Sequence, residues 1–232
     1  MKSAPVHVCI VAGRPDHTLV LAGLTRQLHK ENSIYLTRVS TRTHYNPEMT
    51  IACRRLEEEG FTVEEESRIR LESEKAHQYP EPFHFGALEY DALLQRLQPD
   101  LVLVYGQSHD SFTAAVAATQ SGIPIAHVQD GKSAYHPQDP AFGYGIARLA
   151  RLHFTATPAA SDAVADLGRD PARIFTVGSL VKEQAARTRF QSREAFCSSA
   201  GLDPASDFFL VCFQADSALG SANSGRTRAL LD

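Results

Sequence analysis

The sequence predicts an α/β fold, a doubly wound and mostly parallel sheet, and three features point to it. Short runs at residues 6–12, 101–105 and 123–128 are largely and continuously apolar rather than alternating, as strands buried on both faces require. Segments of helical period separate the runs, the order that right-handed crossovers turn into a sheet covered on both sides. Two of the strongest runs close on a glycine, Gly13 and Gly106, which suits a tight turn out of a strand.

Taken in order, residues 6–12 form the first strand and residues 16–30 a helix with Leu19, Val20, Leu24 and Leu28 on one side. Residues 33–39 alternate as a second strand. Asn46-Pro47 opens a helix that Gly60 stops, since proline suits a first helical turn. Residues 61–65 read as a strand and 67–82 as a loop. From Phe85 a helix face recurs at Leu88, Leu93, Leu94 and Leu97, and Pro99-Asp100 ends it. Strand 101–105, an Ala-rich helix at 111–120 stopped by Gly122, and strand 123–128 follow. A helix at 143–151, a strand at 152–155, a helix at 159–167 and a strand at 173–177 complete the alternation. Beyond Gly178, helices are expected at 180–188 and 192–200, then a buried strand at 208–213. The expected organisation is one domain over 1–180, with 181–232 as connecting helices and the first strand of an incomplete second domain.

Composition narrows the function. At 232 residues the chain can bury a full core, and 43% hydrophobic with 22% charged residues is ordinary for a globular enzyme. A net charge of −4 offers no field to attract nucleic acid or an anionic membrane. The four cysteines are scattered, with no C-x-x-C pair, and Cys9 and Cys212 lie in apolar runs as packed thiols. No leader and no run of the roughly 20 apolar residues needed to span a bilayer is found, so a cytoplasmic protein is expected. The runs Glu57-Glu58-Glu59 and Glu64-Glu65-Glu66 are expected to be solvated edges. His127, His136 and Asp139 fit no zinc spacing, and no metal is expected.

In a parallel sheet, ligands bind beyond the carboxyl ends of the strands, near the switch in strand order. The turns at Gly13, residues 39–44, 106–110 and 128–139 are therefore where a site is expected. Arg14 after the first strand suits a diphosphate, or equally a salt bridge at a helix start. His127 inside a strand suits a hydrogen-bonded core histidine or a catalytic group. Gln107 and Gln129 at strand ends are sugar contacts or solvated loop residues, and Asp139 is a titratable group or a helix cap.

Several of these turns together resemble one family. Gly13-Arg14-Pro15-Asp16 resembles a G-T-R turn followed by P or A and then E. His44-Tyr45-Asn46-Pro47-Glu48, with Gly60-Phe61, resembles an H-L-S-P-E and D-G-F block. Pro99-Asp100 through Gly106, Ile123-Pro124-Ile125-Ala126-His127-Val128, Leu152-His153-Phe154 and the stretch from Arg173 to Ser179 match further blocks in the same order. The pattern is similar to the UDP-N-acetylglucosamine 2-epimerase family, above all its hydrolysing branch, which makes N-acetylmannosamine for sialic-acid-type sugars.

The resemblance implies the first Rossmann-like half of a two-domain glycosyltransferase-B arrangement. It implies a UDP-sugar as ligand, no cofactor, and a reaction that removes the C2 proton, expels UDP and inverts C2. By the same resemblance, Arg14, Gly106, Gln107, His127, Gln129, Gly178 and Ser179 line the substrate site, and Asp110 and Asp139 are the surviving proton-transfer groups. Most of the family's acid and base positions are replaced: Gln107 and Gln129 stand for carboxylates, Lys132 for another acidic residue, and Gln214-Ala215 for a His-Pro pair. A glutamine cannot accept a proton near neutral pH, so impaired chemistry is expected, with a non-catalytic nucleotide-sugar binder or a truncated remnant as the alternative. The open cleft leaves room for a homo-oligomer or another partner to cover it.

Overall fold

The computed structural model describes residues 4–12, 14–40, 83–130, 139–188 and 190–211, with isolated positions at 54, 57–58, 64–65, 225 and 228–229. The strands are β1 (Val6–Ala12), β2 (Ile34–Ser40), β3 (Glu64–Glu65), β4 (Leu101–Tyr105), β5 (Ile125–Gln129), β6 (Leu152–Thr155) and β7 (Ile174–Thr176). The helices are α1 (Pro15–Lys30), α2 (Phe83–Leu97), α3 (His109–Gln120), α4 (Asp139–Leu149), α5 (Pro158–Ala165), α6 (Leu180–Arg187) and α7 (Arg193–Ala200).

All seven strands join one sheet in the order β3-β2-β1-β4-β5-β6-β7, and every pairing is parallel. The chain walks outward from β1 to β3, then returns to β4 on the other side of β1. The switch in strand order thus lies between β1 and β4, in a Rossmann-like, doubly wound sheet.

Burial on both faces follows from the mainly apolar central strands β1 and β4. Cys9 and Val11 of β1 face one layer with Val102 and Val104, packed on Tyr90, Leu93 and Leu94 of α2 and on the alanines of α3. Val8, Ile10 and Ala12 face the other layer with Leu103 and Tyr105, against Leu21 of α1. The small side chains Ala114, Ala115, Ala117 and Ala118 are all fully buried, so the composition of α3 lets it sit close on the sheet.

Residues Met1–Val181 and Lys182–Asp232 form two compact units. Within the second, Ser192 caps α7 by accepting the Ala195 N–H at 3.2 Å, and Cys197 is buried. Arg193 donates from Nε to the Pro204 carbonyl at 2.8 Å and from Nη2 to the Ser206 carbonyl at 2.7 Å, and its guanidinium lies over the Phe208 ring.

Two expectations change. The helix expected at 143 starts at Asp139, because Pro140 has the fixed φ of a first turn although the apolar period begins later. The buried strand expected at 208–213 is absent over 208–211, where Phe209 is 97% and Leu210 81% exposed. Apolar character alone does not make a strand; a ladder partner does, and none pairs with this segment among the described residues. Cys9 is buried as expected, and Glu57 and Glu58 are exposed. The calls on Gly13, residues 41–44, the helix from Asn46, the 67–82 loop, Lys132, His136, Cys53, Cys212 and Gln214 lie outside the described residues. Most of the helix and strand expected at 46–65 lies outside them as well.

Leu94 is 1% exposed at the centre of the α2–α3 layer. Leu94→Ala should destabilise the protein by about 2–5 kcal/mol, read as a lower urea midpoint with an unchanged slope.

Candidate functional site at the carboxyl edge of the sheet

The strand exits are bonded to one another past the ends of the ladders. Gly106 N–H donates to the Val128 carbonyl at 2.9 Å, Ala156 N–H to Gln129 at 3.2 Å, and Val177 N–H to Thr155 at 2.9 Å. The carboxyl edge from β4 to β7 is therefore one continuous rim, and the predicted residues Gly106, Gln107, Gln129, Gly178 and Ser179 all lie along it.

Gly106 turns the chain out of β4 at φ +71°, a left-handed conformation that disfavours a side chain. Its carbonyl is held by His127 Nε2 at 2.7 Å. A carbonyl only accepts, so Nε2 carries the proton, and the ring works as a buried strut. Burial above all, with a smaller push from His153, lowers His127 to about 4, against the pull of the Gly106 bond. His153 is its register partner on β6 and is likewise lowered to about 4, first by burial and then by the Arg169 charge. At neutral pH both rings are uncharged.

Gln107 is only 9% exposed and lies against α4. A Cβ at Gly143 would stand 2.8 Å from Gln107 Oε1 and 3.1 Å from its Cβ. The missing side chain at 143 thus makes room for the long amide at 107, so Gln107 is packed rather than a solvated loop residue. Gln129 ends β5 half-buried. Asp110 stands in the first turn of α3, whose N-cap Ser108 accepts the Ser111 N–H at 3.2 Å. Asp139 opens α4, and its side chain lies outside the described residues.

Arg14 precedes α1 in extended conformation and turns Nε and Nη2 onto Asp16, at 2.9 and 3.4 Å. Burial pushes Asp16 up, but the Arg14 hydrogen bond and charge outweigh it and hold its carboxyl below the usual range. Arg14 thus makes a salt bridge at the helix start. Gly178, at φ +90°, turns β7 toward α6, and Ser179 follows half-buried.

Two residues were not found from sequence. His17, one turn into α1, packs edge-on to Tyr105 at 4.9 Å, and a Cβ at Gly106 would stand 3.4 Å from its Nε2. It brings the α1 start against the β4 exit, across the switch point. Asp130, just past β5, accepts the Val181 N–H at 2.8 Å and the Tyr105 hydroxyl at 3.4 Å. Its signal was a carboxylate one position beyond Gln129. Among the described residues, no three His, Cys, Asp or Glu side chains stand together as a metal site, and no helix is long and apolar enough to cross a membrane.

The sequence model of UDP-N-acetylglucosamine 2-epimerase matches residues 26–222. The chain belongs to this family. Among curated members, the hydrolysing GDP/UDP-N,N'-diacetylbacillosamine 2-epimerase of Campylobacter jejuni is 19% identical over 89% of this chain and 53% of its own length. The solved UDP-GlcNAc 2-epimerase of Methanocaldococcus jannaschii, in complex with UDP-GlcNAc and UDP, superposes at TM-score 0.68 with 20% identity, over 84% of this chain and 54% of its own. The Neisseria meningitidis enzyme bound to UDP-GlcNAc gives TM-score 0.67 and 18% identity, over 85% of this chain and 52% of its own. The chain thus spans about half the length of the curated epimerases it matches, and the structural likeness is one of fold.

Two outcomes test this geometry. An unfolded histidine titrates near 6.5, so between 6.5 and about 4 the unfolded chain takes up protons that buried His127 and His153 refuse. Their contribution is intact above 6.5 and is lost as pH falls toward 4; urea midpoints should drop across that window, less steeply in His127→Gln. Gly143→Ala should destabilise despite a helix-propensity gain of roughly 1 kcal/mol, because overpacking costs about 1–3 kcal/mol. Gln107→Ala in the same chain should recover most of that loss.

Proposed function

We propose that the carboxyl edge of this sheet binds a UDP-linked N-acetylhexosamine and forms one wall of an epimerase-like cleft. The observation that carries the proposal is the meeting of the α1 start, the β4 exit and the β5 end through His17, Tyr105, Gly106 and His127. In a doubly wound sheet this is the switch point at which ligands bind. Membership of the epimerase family supports a nucleotide sugar as the ligand class. Two solved relatives, each bound to UDP-GlcNAc, support the same choice. This chain spans about half the length of those relatives, so the proposal concerns the part of a cleft that these residues build.

In this proposal, Gln107 and Gln129 meet sugar hydroxyls or the acetamido group, with Gly106, Gly178 and Ser179 shaping the wall. Arg14 serves the diphosphate by exchanging part of its hold on Asp16, and His127 acts by fixing the Gly106 turn. Residues 1–180 act as the epimerase-type domain and 181–232 as its connecting segment.

Chemistry of the hydrolysing type would remove the C2 proton, expel UDP and add water with C2 inverted, giving N-acetylmannosamine. A weakly acidic C2 proton requires a placed base. Asp110 and Asp139 are the carboxylates assigned to it, since amides at 107 and 129 cannot take a proton. Slow turnover is therefore expected. The packing of Gln107 on Gly143 and the engagement of Arg14 with Asp16 favour a second reading, a binder without turnover.

Incubation with UDP-N-acetylglucosamine, followed by chromatography and calorimetric titration, separates the two. Heat of binding with slow UDP release that Asp110→Asn abolishes supports the enzyme. Heat without release supports the binder, and no heat at all contradicts both.

A further inference from the structure

The Asp130 side chain joins segments 51 residues apart, from the end of β5 to the first turn of α6. The Val181 N–H is one of the first donors of a helix, which have no partner within the helix itself. A carboxylate there meets both the bare N–H and the positive end of the helix dipole. The same Oδ2 also receives the Tyr105 hydroxyl from the end of β4, and the Tyr105 ring packs on His17 of α1. Tyr105 is buried and Leu180 packs in the same apolar layer, so the bonds sit on an ordered floor.

We propose that Asp130 is a positioning residue of the carboxyl-edge site, a clasp that holds the Gly178–Ser179 turn to the exits of β4 and β5. Among the described residues, the backbone bonds along this rim pass from each strand to its neighbour. Asp130 spans from β5 directly to the start of α6, and Tyr105 passes the constraint on to the α1 side of the switch point. Both donors meet Oδ2, and through them the carboxylate fixes the walls of the site. The ligand consequence rests on the proposed UDP-sugar function; the clasp itself does not.

The test is amide hydrogen exchange by NMR together with calorimetric titration of UDP-N-acetylglucosamine, on the full chain and on two variants. In the native chain the Val181 amide should exchange at least about tenfold more slowly than its intrinsic rate, although it lies in a first helical turn. Asp130→Ala should remove about tenfold of that protection and weaken UDP-N-acetylglucosamine about fivefold, while the amides of β4 and β5 stay protected. Asp130→Asn retains an acceptor oxygen and should leave both readouts within about twofold of the native chain. An unprotected Val181 amide in the native chain overturns the clasp. So does an Asp130→Ala chain with native protection and affinity, or an Asp130→Asn chain as impaired as Asp130→Ala. Should Asp130→Ala not fold, native protection and the Asp130→Asn chain still decide. A native chain that binds no UDP-sugar sinks the ligand assignment and the site role, and Val181 protection then judges the clasp alone.

Discussion

The hydrogen bond from His127 Nε2 to the Gly106 carbonyl, 2.7 Å long and made by a buried imidazole, is the contact on which the carboxyl edge depends. It pins the one turn of β4 that must adopt positive φ, and that turn sets the direction of everything after it. Ser111 adds a second anchor, its hydroxyl donating to the Tyr105 carbonyl at 2.7 Å. With the turn fixed, Gln107 can only lie back on α4, where Gly143 leaves it space. A buried donor deprived of its acceptor costs far more than a surface bond gains, so this turn has little freedom to relax.

The same edge separates what the fold requires from what the proposed chemistry would require. Parallel strands packed on both faces demand apolar residues, and those in β1, β4 and β5 satisfy that demand regardless of what happens at the strand exits. The exits of β4 and β5 hold the amides Gln107 and Gln129, and Gly143 of α4 packs against the first of them. Histidines 127 and 153 are buried in the sheet. Burial keeps them neutral at physiological pH, and His127 spends its proton on a backbone carbonyl.

How much could be read in advance followed from the range of each interaction. The strands 101–105 and 152–155 were legible to the residue, because continuous apolar character between polar boundaries is a local signal. Pro140 was a local signal too, but the apolar period outweighed it. His17, Asp130 and the Gly143–Gln107 contact were not legible, since each depends on which strand exits become neighbours. The 208–213 run misled for the converse reason: its composition is that of a strand, while strand formation is decided by a partner. Arg14 was evenly divided in sequence between ligand and salt bridge, and only the orientation of its guanidinium toward Asp16 separates them. Its role toward a ligand stays with the proposed function.

A backbone amide map of the ¹⁵N-labelled chain titrated with UDP-N-acetylglucosamine bears most directly on the central claim. The account predicts saturable shift changes centred on Gly106, Gln107, Gln129 and the first turn of α1, with the amino ends of the strands unmoved. Changes confined to those amino ends, or to residues 190–211, would contradict it.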